Sequence, residues 1–483
     1  MTLRVFLKSL LFGISFIFLI VPYSRSQEYD LSHSEQFEIL ADGAYMSAPE
    51  ILSRYIKFQS YSGNEKEAGL WLRDVCEENG LFITSFGEEN GNFNFAASLY
   101  PLSDSLSNII LLNHIDVVEE GDSLLWHHPP WSGHISDTEI WGRGAFDNKG
   151  AAIMQLFSML KFRTEMEAHG RVYNITLLSV SCEETQCGGG ASYVAENFIE
   201  TLNPVIIIGE GATELSTVVG QETSYKQFGI SVAQKRPFWL RLRLSISTSG
   251  HGSVPPDEYA NKELILALSR LFQMKQPAIF NEVNTGILKI LGENERGIQR
   301  CILKHPLCFK MLIVPQLKKQ PELFALYSNT MTLSIFDSKN STINNIPGTA
   351  EAYLDCRLMP EYSTEEFLHS VKKALNNEEI EISVIHQTNE IPVSDRNGKF
   401  YIHMKESIEE VYPGAYVYPI MLPNFNDVVW FRQQGIQGLS IIPVELSEDH
   451  LKCIHSENER IPILALYQGI ETYSRFLGRC MSE

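Results

Sequence analysis

Positive charge is scarce in this sequence. The 483 residues contain 39 Lys and Arg against 59 Asp and Glu, which gives a formal net charge of −20. Proteins that bind nucleic acid need clustered Lys and Arg, so this balance predicts no nucleic-acid partner and no extended basic patch. Internal repeats and low-complexity segments are also missing, which argues against an adhesion or structural protein. Apolar residues make up 44% of the chain, and this content predicts a globular protein with a substantial core.

The N-terminus has the layout of a secretory signal peptide. Arg4 and Lys8 precede an apolar run over residues 9–21, and small residues follow it. The run is shorter than the about 20 residues that a bilayer-spanning helix needs. We therefore predict that residues 1–26 are a signal peptide and that the protein is secreted or periplasmic. The alternative is a membrane anchor formed by the uncleaved segment.

Cysteine is also sparse, with eight residues in the chain. A core of this size does not depend on disulfides for stability. Cys301 and Cys308 are close enough in sequence for a local bridge, whereas Cys182 and Cys187 can be buried thiols. The pairing does not follow from the sequence.

The first half of the chain alternates helix-like and strand-like segments. Helical periodicity covers 64–80 and 148–166, and strand-like runs cover 107–118, 172–184 and 204–211. This alternation predicts an α/β domain whose mixed sheet has helices on both faces. In such folds ligands gather at the carboxyl ends of the strands.

From residue 237 the pattern changes to a β-α-β-β-α-β order, which predicts a ferredoxin-like α+β domain. An extra apolar and partly helical segment, 276–328, lies between its first helix and second strand. We therefore expect a first part of the larger domain at 27–235, an inserted domain at 236–387, and the rest of the larger domain at 388–483.

Five stretches place acidic residues and histidines at strand ends or in loops. These residues are His114 and Asp116 in "NHID", Asp147 in "WGRGAFDNKG", Glu183 and Glu184 in "SCEETQCGGG", Glu210 in "IIIGEG", and His455 in "KCIHSENERIP". Singly, each fits a helix cap, a solvated loop or a surface histidine. Together they are hard oxygen and borderline nitrogen donors, which suit zinc, with cobalt or manganese as alternatives. Several carboxylates with two histidines exceed the needs of one ion, so the set favours a two-metal site with a bridging carboxylate.

These motifs, followed by "GHGSVPP" in the inserted domain, resemble the dizinc aminoacylase/carboxypeptidase family in the same order along the chain. Its members include aminoacylase, glutamate carboxypeptidase and carnosinase. The resemblance runs from about residue 48 to about residue 477. The long segment before "NNIPGTAEAYLDCR" resembles the branch of carboxypeptidase S and the secreted N-fatty-acyl-amino-acid hydrolases.

The resemblance implies a zinc-peptidase-like catalytic domain that holds two zinc ions. Asp147 would bridge both ions together with a hydroxide. His114 and Glu210 would complete one ion's ligands, and Glu184 and His455 the other's. Positions i and i+2 of a strand share a face, so Asp116 would support the His114 ring. Glu183 would be the general base, and a cis peptide bond would follow Asp147.

The resemblance also gives the inserted domain a role as a lid and dimerisation domain. His251 would stabilise the oxyanion, acting in the partner's site of a homodimer. Asn345 and Arg357 match positions that relatives use around the substrate, and Arg357 would pair with a terminal carboxylate. A tether at the sheet edge is the alternative role of Arg357.

Two departures from the family pattern bear on specificity. Gly209 stands where many relatives have an aspartate before the ligand Glu210. Near the C-terminus, "NFNDVVWF" keeps Asp427 but places Val429 where arginine is expected.

The sequence therefore predicts a zinc-dependent hydrolase of N-acyl amino acids or C-terminal peptide bonds. A zinc aminopeptidase or dipeptidase and a metal-free binding homologue are the alternatives. Apolar residues in 276–328 lead us to expect a preference for long acyl chains.

Overall fold

A computed structural model describes residues 31–87, 92–103, 105–165, 172–215, 226–247, 250–293, 295–338 and 342–482. The predicted signal peptide, 1–26, lies outside these residues. The chain divides into two compact units. The first takes its residues from 1–232, 394–420 and 426–483, and the second from 233–393 and 421–425. Among the described helices, none is both long and apolar enough to cross a membrane.

The strands outside the second unit's own sheet are numbered in chain order. They are β1 Glu38–Ala41, β2 Ala44–Ser47, β3 Phe82–Ser85, β4 Phe95–Ser98, β5 Asn108–His114, β6 His134–Ile135, β7 Glu139–Trp141, β8 Asn174–Val180, β9 Pro204–Ala212, β10 Gln227–Gln234, β15 Tyr416–Leu422, β16 Gly438–Ile441 and β17 Arg460–Pro462. The helices of the first unit are α1 Ser32–Glu35, α2 Ala48–Ile56, α3 Lys66–Glu78, α4 Lys149–Glu165, α5 Ala191–Asn197, α6 Ile199–Leu202, α13 Lys399–Val411, α14 Val428–Gln433, α15 Glu448–Cys453 and α16 Ile463–Met481, with a short 3-10 helix at Ser123–Leu125.

Eight strands form one mixed sheet in the order β15-β10-β16-β9-β5-β8-β4-β3. The central pairs β5–β8, β5–β9 and β9–β16 are parallel, and the outer pairs β4–β8 and β3–β4 are antiparallel. Every residue of the central strands β5 and β8 is buried, and four of the seven in each are apolar, as expected for strands covered on both faces. On one face Leu112 and Leu178 pack with residues of α5 and α14. The predicted α/β fold with a mixed sheet is confirmed.

The second unit contains the strands β11 Arg236–Ser245, β12 Thr330–Asp337, β13 Thr349–Leu358 and β14 Glu381–Gln387, and the helices α7 Ala260–Phe272, α8 Glu282–Glu293, α9 Gly297–Lys304, α10 Lys310–Leu317, α11 Pro321–Ala325 and α12 Thr364–Leu375. The strands form an antiparallel sheet in the order β12-β13-β11-β14. Alternate residues such as Leu240 and Leu354 face a core shared with Leu264 of α7 and Phe367 of α12. This order along the chain is β-α-β-β-α-β, and helices α8–α11 occupy the extra segment.

Two cysteine expectations need correction. Cys182 and Cys187 form a disulfide rather than remaining thiols, and it closes the turn that carries the two adjacent glutamates. Cys301 and Cys308 are exposed free thiols, so the local bridge is wrong. Cys301 lies within α9, whereas Cys308 follows the end of that helix, and the two residues are presented to solvent separately.

Candidate metal centre

Parallel strands that end at one edge of the large sheet carry most of the candidate ligands. His114 is the last residue of β5 and pairs in register with Val180, the last residue of β8. Glu183 and Glu184 follow β8 closely, and Glu210 lies in β9, which runs parallel to β5. Because parallel strands share one direction, their carboxyl ends bring these side chains together.

The turn that carries Asp147 is fixed by a buried carboxylate, Glu459. Its two oxygens accept four hydrogen bonds, from Arg143 Nη1 at 2.7 Å and from the backbone nitrogens of Gly144, Phe146 and Asp147 at 2.9, 2.9 and 3.0 Å. Glu459 lies four residues after His455. One side chain therefore ties the loop of Asp147 to the loop of His455. The peptide bond after Asp147 is cis, as the resemblance implied.

Asp147 lies between the two histidines. Its Oδ1 is 3.2 Å from His114 Nε2, and its Oδ2 is 3.0 Å from His455 Nε2. Glu210 Oε2 lies 3.2 Å from His114 Nε2, and Glu184 Oε1 lies 3.3 Å from His455 Nε2. Five residues thus form two groups of three that share Asp147, and the donor atoms of each group lie within 4.8 Å of one another.

This spacing fits metal ligands. Donors about 2.0–2.2 Å from one tetrahedral zinc ion lie roughly 3.4 Å from one another. The nitrogen–oxygen distances of 3.0–3.3 Å in the two groups are close to that value. The chemistry of the donors also matches, because carboxylate oxygens and imidazole nitrogens suit zinc, manganese and cobalt.

The electrostatic potential of the site favours a cation. Hydrogen bonds to Asp147 and Glu184 raise the pKa of His455 to about 10. Burial and the charge of Glu210 raise the pKa of Glu183 well above its usual range. Both shifts show that the site holds protons tightly to offset its crowded carboxylates. A divalent cation would satisfy the same excess of negative charge and release those protons.

Asp116 connects the first ligand group to the glutamate pair. It is fully buried, and its two carboxylate oxygens accept hydrogen bonds at 3.1 Å from the backbone nitrogens of Glu183 and Glu184. Ser62 Oγ donates a further hydrogen bond at 2.6 Å. His114 Nδ1 lies 2.9 Å from the backbone oxygen of Asp116 and 3.3 Å from Oδ1. The residue therefore orients the ring mainly through its carbonyl and fixes the glutamate turn through its carboxylate.

Three further residues hold this site together, and the sequence analysis missed them. Asn148 Nδ2 donates to Glu210 Oε2 at 2.7 Å, and Asn426 Nδ2 donates to the backbone oxygen of Glu210 at 2.7 Å. Glu459 is the third. All three residues stand inside stretches quoted above, Asn148 in "WGRGAFDNKG", Glu459 in "IHSENERIP" and Asn426 in "NFNDVVWF", so their positions were a signal, although the sequence does not show which residues they contact.

In the second unit, His251 and Asn345 lie together and Arg357 lies apart. His251 is exposed and forms an isolated antiparallel bridge with Asn345, just before β13. Arg357 lies near the other end of β13, where its Nε is 2.9 Å from Asp355 Oδ1. The eight steps from Thr349 to Arg357 span roughly 26 Å at about 3.3 Å per residue. One small substrate therefore cannot contact both ends of the same strand.

The two departures from the family pattern have structural counterparts. A Cβ atom at Gly209 would lie 2.4 Å from Val428 Cγ2, so this backbone has no room for an aspartate. Val429 is fully buried in α14, and an arginine there would enter the core. Asp427 is buried, and its Oδ2 has no hydrogen-bond partner among the described residues. Burial raises the pKa of Asp427 well above its ordinary value.

Known proteins resemble this chain over most of its length. A sequence model of Peptidase family M20/M25/M40 matches residues 110–479. The chain is 28% identical over 387 residues to "Probable carboxypeptidase S-like 2" of Dictyostelium discoideum, a match that covers 79% of this chain and 73% of that protein. It is 27% identical over 386 residues to "N-fatty-acyl-amino acid synthase/hydrolase PM20D1" of Homo sapiens, covering 77% and 73%.

Solved structures share the fold. The M20 family metallo-carboxypeptidase Sso-CP2 of Sulfolobus solfataricus superposes with a TM-score of 0.63 at 20% identity, over 89% of this chain and 98% of that one. Human carnosine dipeptidase 1 gives a TM-score of 0.63 at 15% identity, over 90% and 96%.

Proposed function

Because this chain belongs to peptidase family M20/M25/M40, we propose that it is a hydrolase that holds two divalent metal ions and cleaves the amide bond of N-acyl amino acids. The observation that carries the proposal is the position of Asp147. Its two oxygens face two different histidines at 3.2 and 3.0 Å, and each histidine has a second carboxylate beside it.

His114, Asp147 and Glu210 would hold one ion, and Asp147, Glu184 and His455 the other. Zinc suits this donor set, with cobalt or manganese as alternatives. When bound, two such ions supply an activated water and polarise the scissile carbonyl.

Glu183 is the residue that we propose moves the proton. It is adjacent to the ligand Glu184, and neighbouring residues at a strand end point in different directions. The backbone hydrogen bonds to Asp116 fix both residues, so one can bind metal while the other accepts a proton from the attacking water. The same carboxyl group then delivers the proton to the leaving amine.

We propose that two chains complete each site. His251 and Asn345 lie at the opposite end of β13 from Arg357, so one lid domain offers two separated sets of polar side chains. In a two-fold dimer, one set of side chains can contribute to the active site of its own chain and the other set to the active site of the partner chain. β12 is an edge strand with Ile335 54% and Phe336 37% exposed, which supports pairing with a second copy.

Arg357 and the relatives support the proposed substrate class. A guanidinium forms a fork with a carboxylate, as Arg357 does with Asp355, and can pair in the same way with the carboxylate of an amino acid product. Two relatives are named for C-terminal peptide or N-fatty-acyl-amino acid chemistry. We propose a long acyl chain as the preferred group and residues 1–26 as a signal for export.

A substrate panel tests the proposal. Purified protein is assayed on N-acetyl and long-chain N-acyl amino acids and on free dipeptides, with and without a chelator. We expect hydrolysis of the acylated substrates, a preference for the long chains, and loss of activity with chelator. Faster hydrolysis of uncapped dipeptides would indicate a dipeptidase or aminopeptidase instead. Activity that resists the chelator, or no activity with any metal added, would contradict the proposal.

A further inference from the structure

Three exposed apolar residues, Leu307, Met311 and Leu312, lie in the connection from α9 to α10 and in the first turn of α10, and we define them as the apolar corner. Their side chains are 58%, 90% and 50% exposed. Single exposed apolar residues are common on protein surfaces, but these three lie close together in the sequence. Leu307 precedes α10, and Met311 and Leu312 lie in its first turn, so all three are within five residues of one another.

This corner is not needed for packing within its own unit. α10 already buries Ile313 and Leu317, both 2% exposed, and α9 buries Ile302 and Leu303. The sequence of α10, KMLIVPQL, is therefore apolar on the side that faces solvent as well as on the side that faces the protein. A helix that is apolar all round is normally enclosed. The exposed side of α10 therefore has the composition of a contact surface.

The charge around the corner is opposite to that of the whole chain. Between residues 296 and 320 there are six Lys and Arg residues and no Asp or Glu, within a chain of net charge −20. The whole-chain charge masks this local excess. Lys310 begins α10, and Lys318 and Lys319 follow its end, so cations flank the apolar helix at both ends. Long cationic side chains beside apolar ones are typical of helices that lie in a lipid interface.

We propose that this corner docks on an anionic phospholipid surface, with Leu307, Met311 and Leu312 entering the headgroup layer and the flanking lysines contacting lipid phosphates or carboxylates. The opposite charges of the corner and of such a surface favour this occupant over a second copy of the chain, whose own corner carries the same positive charge. The proposal stands apart from the amide hydrolysis above and requires no feature of the metal centre.

Sedimentation with vesicles tests this directly. The full chain is mixed with vesicles of phosphatidylcholine containing roughly one-third phosphatidylserine, a surface negative enough to attract basic segments. We expect the wild-type protein to bind these vesicles, to bind pure phosphatidylcholine far more weakly, and to dissociate as salt increases. Replacing Lys310, Lys318 and Lys319 by Gln should weaken binding by about fivefold for each lysine removed.

A second set of variants tests the apolar residues of the corner against a matched control. Leu307→Ser, Met311→Ser and Leu312→Ser together should abolish detectable binding, because each removes apolar surface that enters the lipid. Leu124 and Leu125 are 89% and 59% exposed in the acidic segment of the first unit. Their replacement by Ser should leave vesicle binding unchanged. Thermal unfolding of every variant shows that each is folded.

Three results would overturn the proposal. The first is that the wild-type chain fails to bind the anionic vesicles. The second is that the Leu307, Met311 and Leu312 variant binds them as the wild type does. The third is that the Leu124 and Leu125 control loses binding to the same extent as that variant. The main alternative occupant of the corner is a second copy of the chain. Analytical ultracentrifugation tests it by measuring the oligomeric state of the wild type and the corner variant. If the corner variant dissociates a dimer and vesicle binding is unchanged, the corner is a contact between two copies.

Discussion

Replacing Glu459 by Gln should weaken both the fold and the metal centre, although Glu459 itself is not one of the proposed ligands. Glu459 accepts four hydrogen bonds, one of them from the buried guanidinium of Arg143, and it is 1% exposed. Glutamine has nearly the same shape but keeps only one acceptor oxygen. In the variant, the amide nitrogen would replace one oxygen, and the two N–H donors that this oxygen accepts in the wild type would lose their acceptor.

The magnitude follows from these contacts. Removing one charge of a buried ion pair costs about 3–5 kcal/mol, and buried donors left without partners cost about 1–3 kcal/mol each. The whole unfolding free energy of a domain is about 5–15 kcal/mol. We therefore expect Glu459→Gln to lower the free energy of unfolding by about 3–5 kcal/mol. Metal affinity should fall by roughly 10–100-fold, because residues that orient ligands have effects of this size.

Two assays measure these effects. Urea denaturation of the metal-free protein gives the change in stability, and competition with a chelator gives the metal affinity. Glu457→Gln is the matched control, since it removes the same charge two residues earlier, where the carboxylate accepts hydrogen bonds from Ser456 and the Asp122 backbone rather than from the Asp147 turn. The control should behave as the wild type in both assays. A Glu459→Gln protein with wild-type stability and metal affinity would refute the idea that this carboxylate holds the Asp147 and His455 loops together.

Three further predictions concern different parts of the chain. Glu183→Gln should keep its metal, measured by elemental analysis, while activity falls by about 100-fold or more; Glu184→Gln should lose metal, and the reverse pattern would show that the two roles are exchanged. Mixing inactive His251→Ala with inactive Glu183→Ala protein should restore activity once subunits exchange, towards roughly a quarter of wild type; mixed dimers without activity would place His251 outside the partner's site. Burial lowers the pKa of Lys235 from 10.5 to about 7, so between these values the folded lysine is neutral while the unfolded one is protonated. Unfolding then takes up a proton, and the stability of the wild type relative to Lys235→Met should increase with pH by up to about 1.4 kcal/mol per unit from pH 7 to 10; a constant difference in urea denaturation would contradict this.

The fold was predictable where the periodicity of the sequence is strong. The strand-like run 172–184 contains β8, the run 204–211 covers β9 except its last residue, and the helical run 148–166 contains α4. The boundaries were less predictable because tertiary contacts decide them. The strand predicted over 107–118 ends at His114, since the chain then leaves the sheet and the carbonyl of Asp116 turns back to the histidine ring.

The candidate site was predictable from residue types, and its supports were not. His114, Asp147, Glu184, Glu210 and His455 could be selected because metal binding needs particular donor atoms, and the structure brings these five together. The supporting contacts depend on distances in space. Asn426 lies far along the chain from Glu210, and only the fold places its amide 2.7 Å from that backbone oxygen.

The disulfide and the lack of space at Gly209 could also not be predicted from the sequence. Cys182 and Cys187 could not be paired from sequence because other cysteines competed for the same role. Gly209 in β9 differs from the family pattern for a steric reason, which is the close approach of Val428 from helix α14. Such an approach leaves no trace in local sequence.

The number of metal ions that each chain binds tests the central claim most directly. Metal-stripped protein is titrated with zinc, dialysed and measured by elemental analysis, for the wild type and for His114→Ala, His455→Ala and Asp147→Ala. The two groups of donors have Asp147 in common. They therefore predict two ions in each wild-type chain, one ion in each histidine variant, and none or nearly none in Asp147→Ala. A single ion in the wild type, or two ions that remain bound in Asp147→Ala, would contradict the assignment of Asp147 as the residue that joins two metal sites.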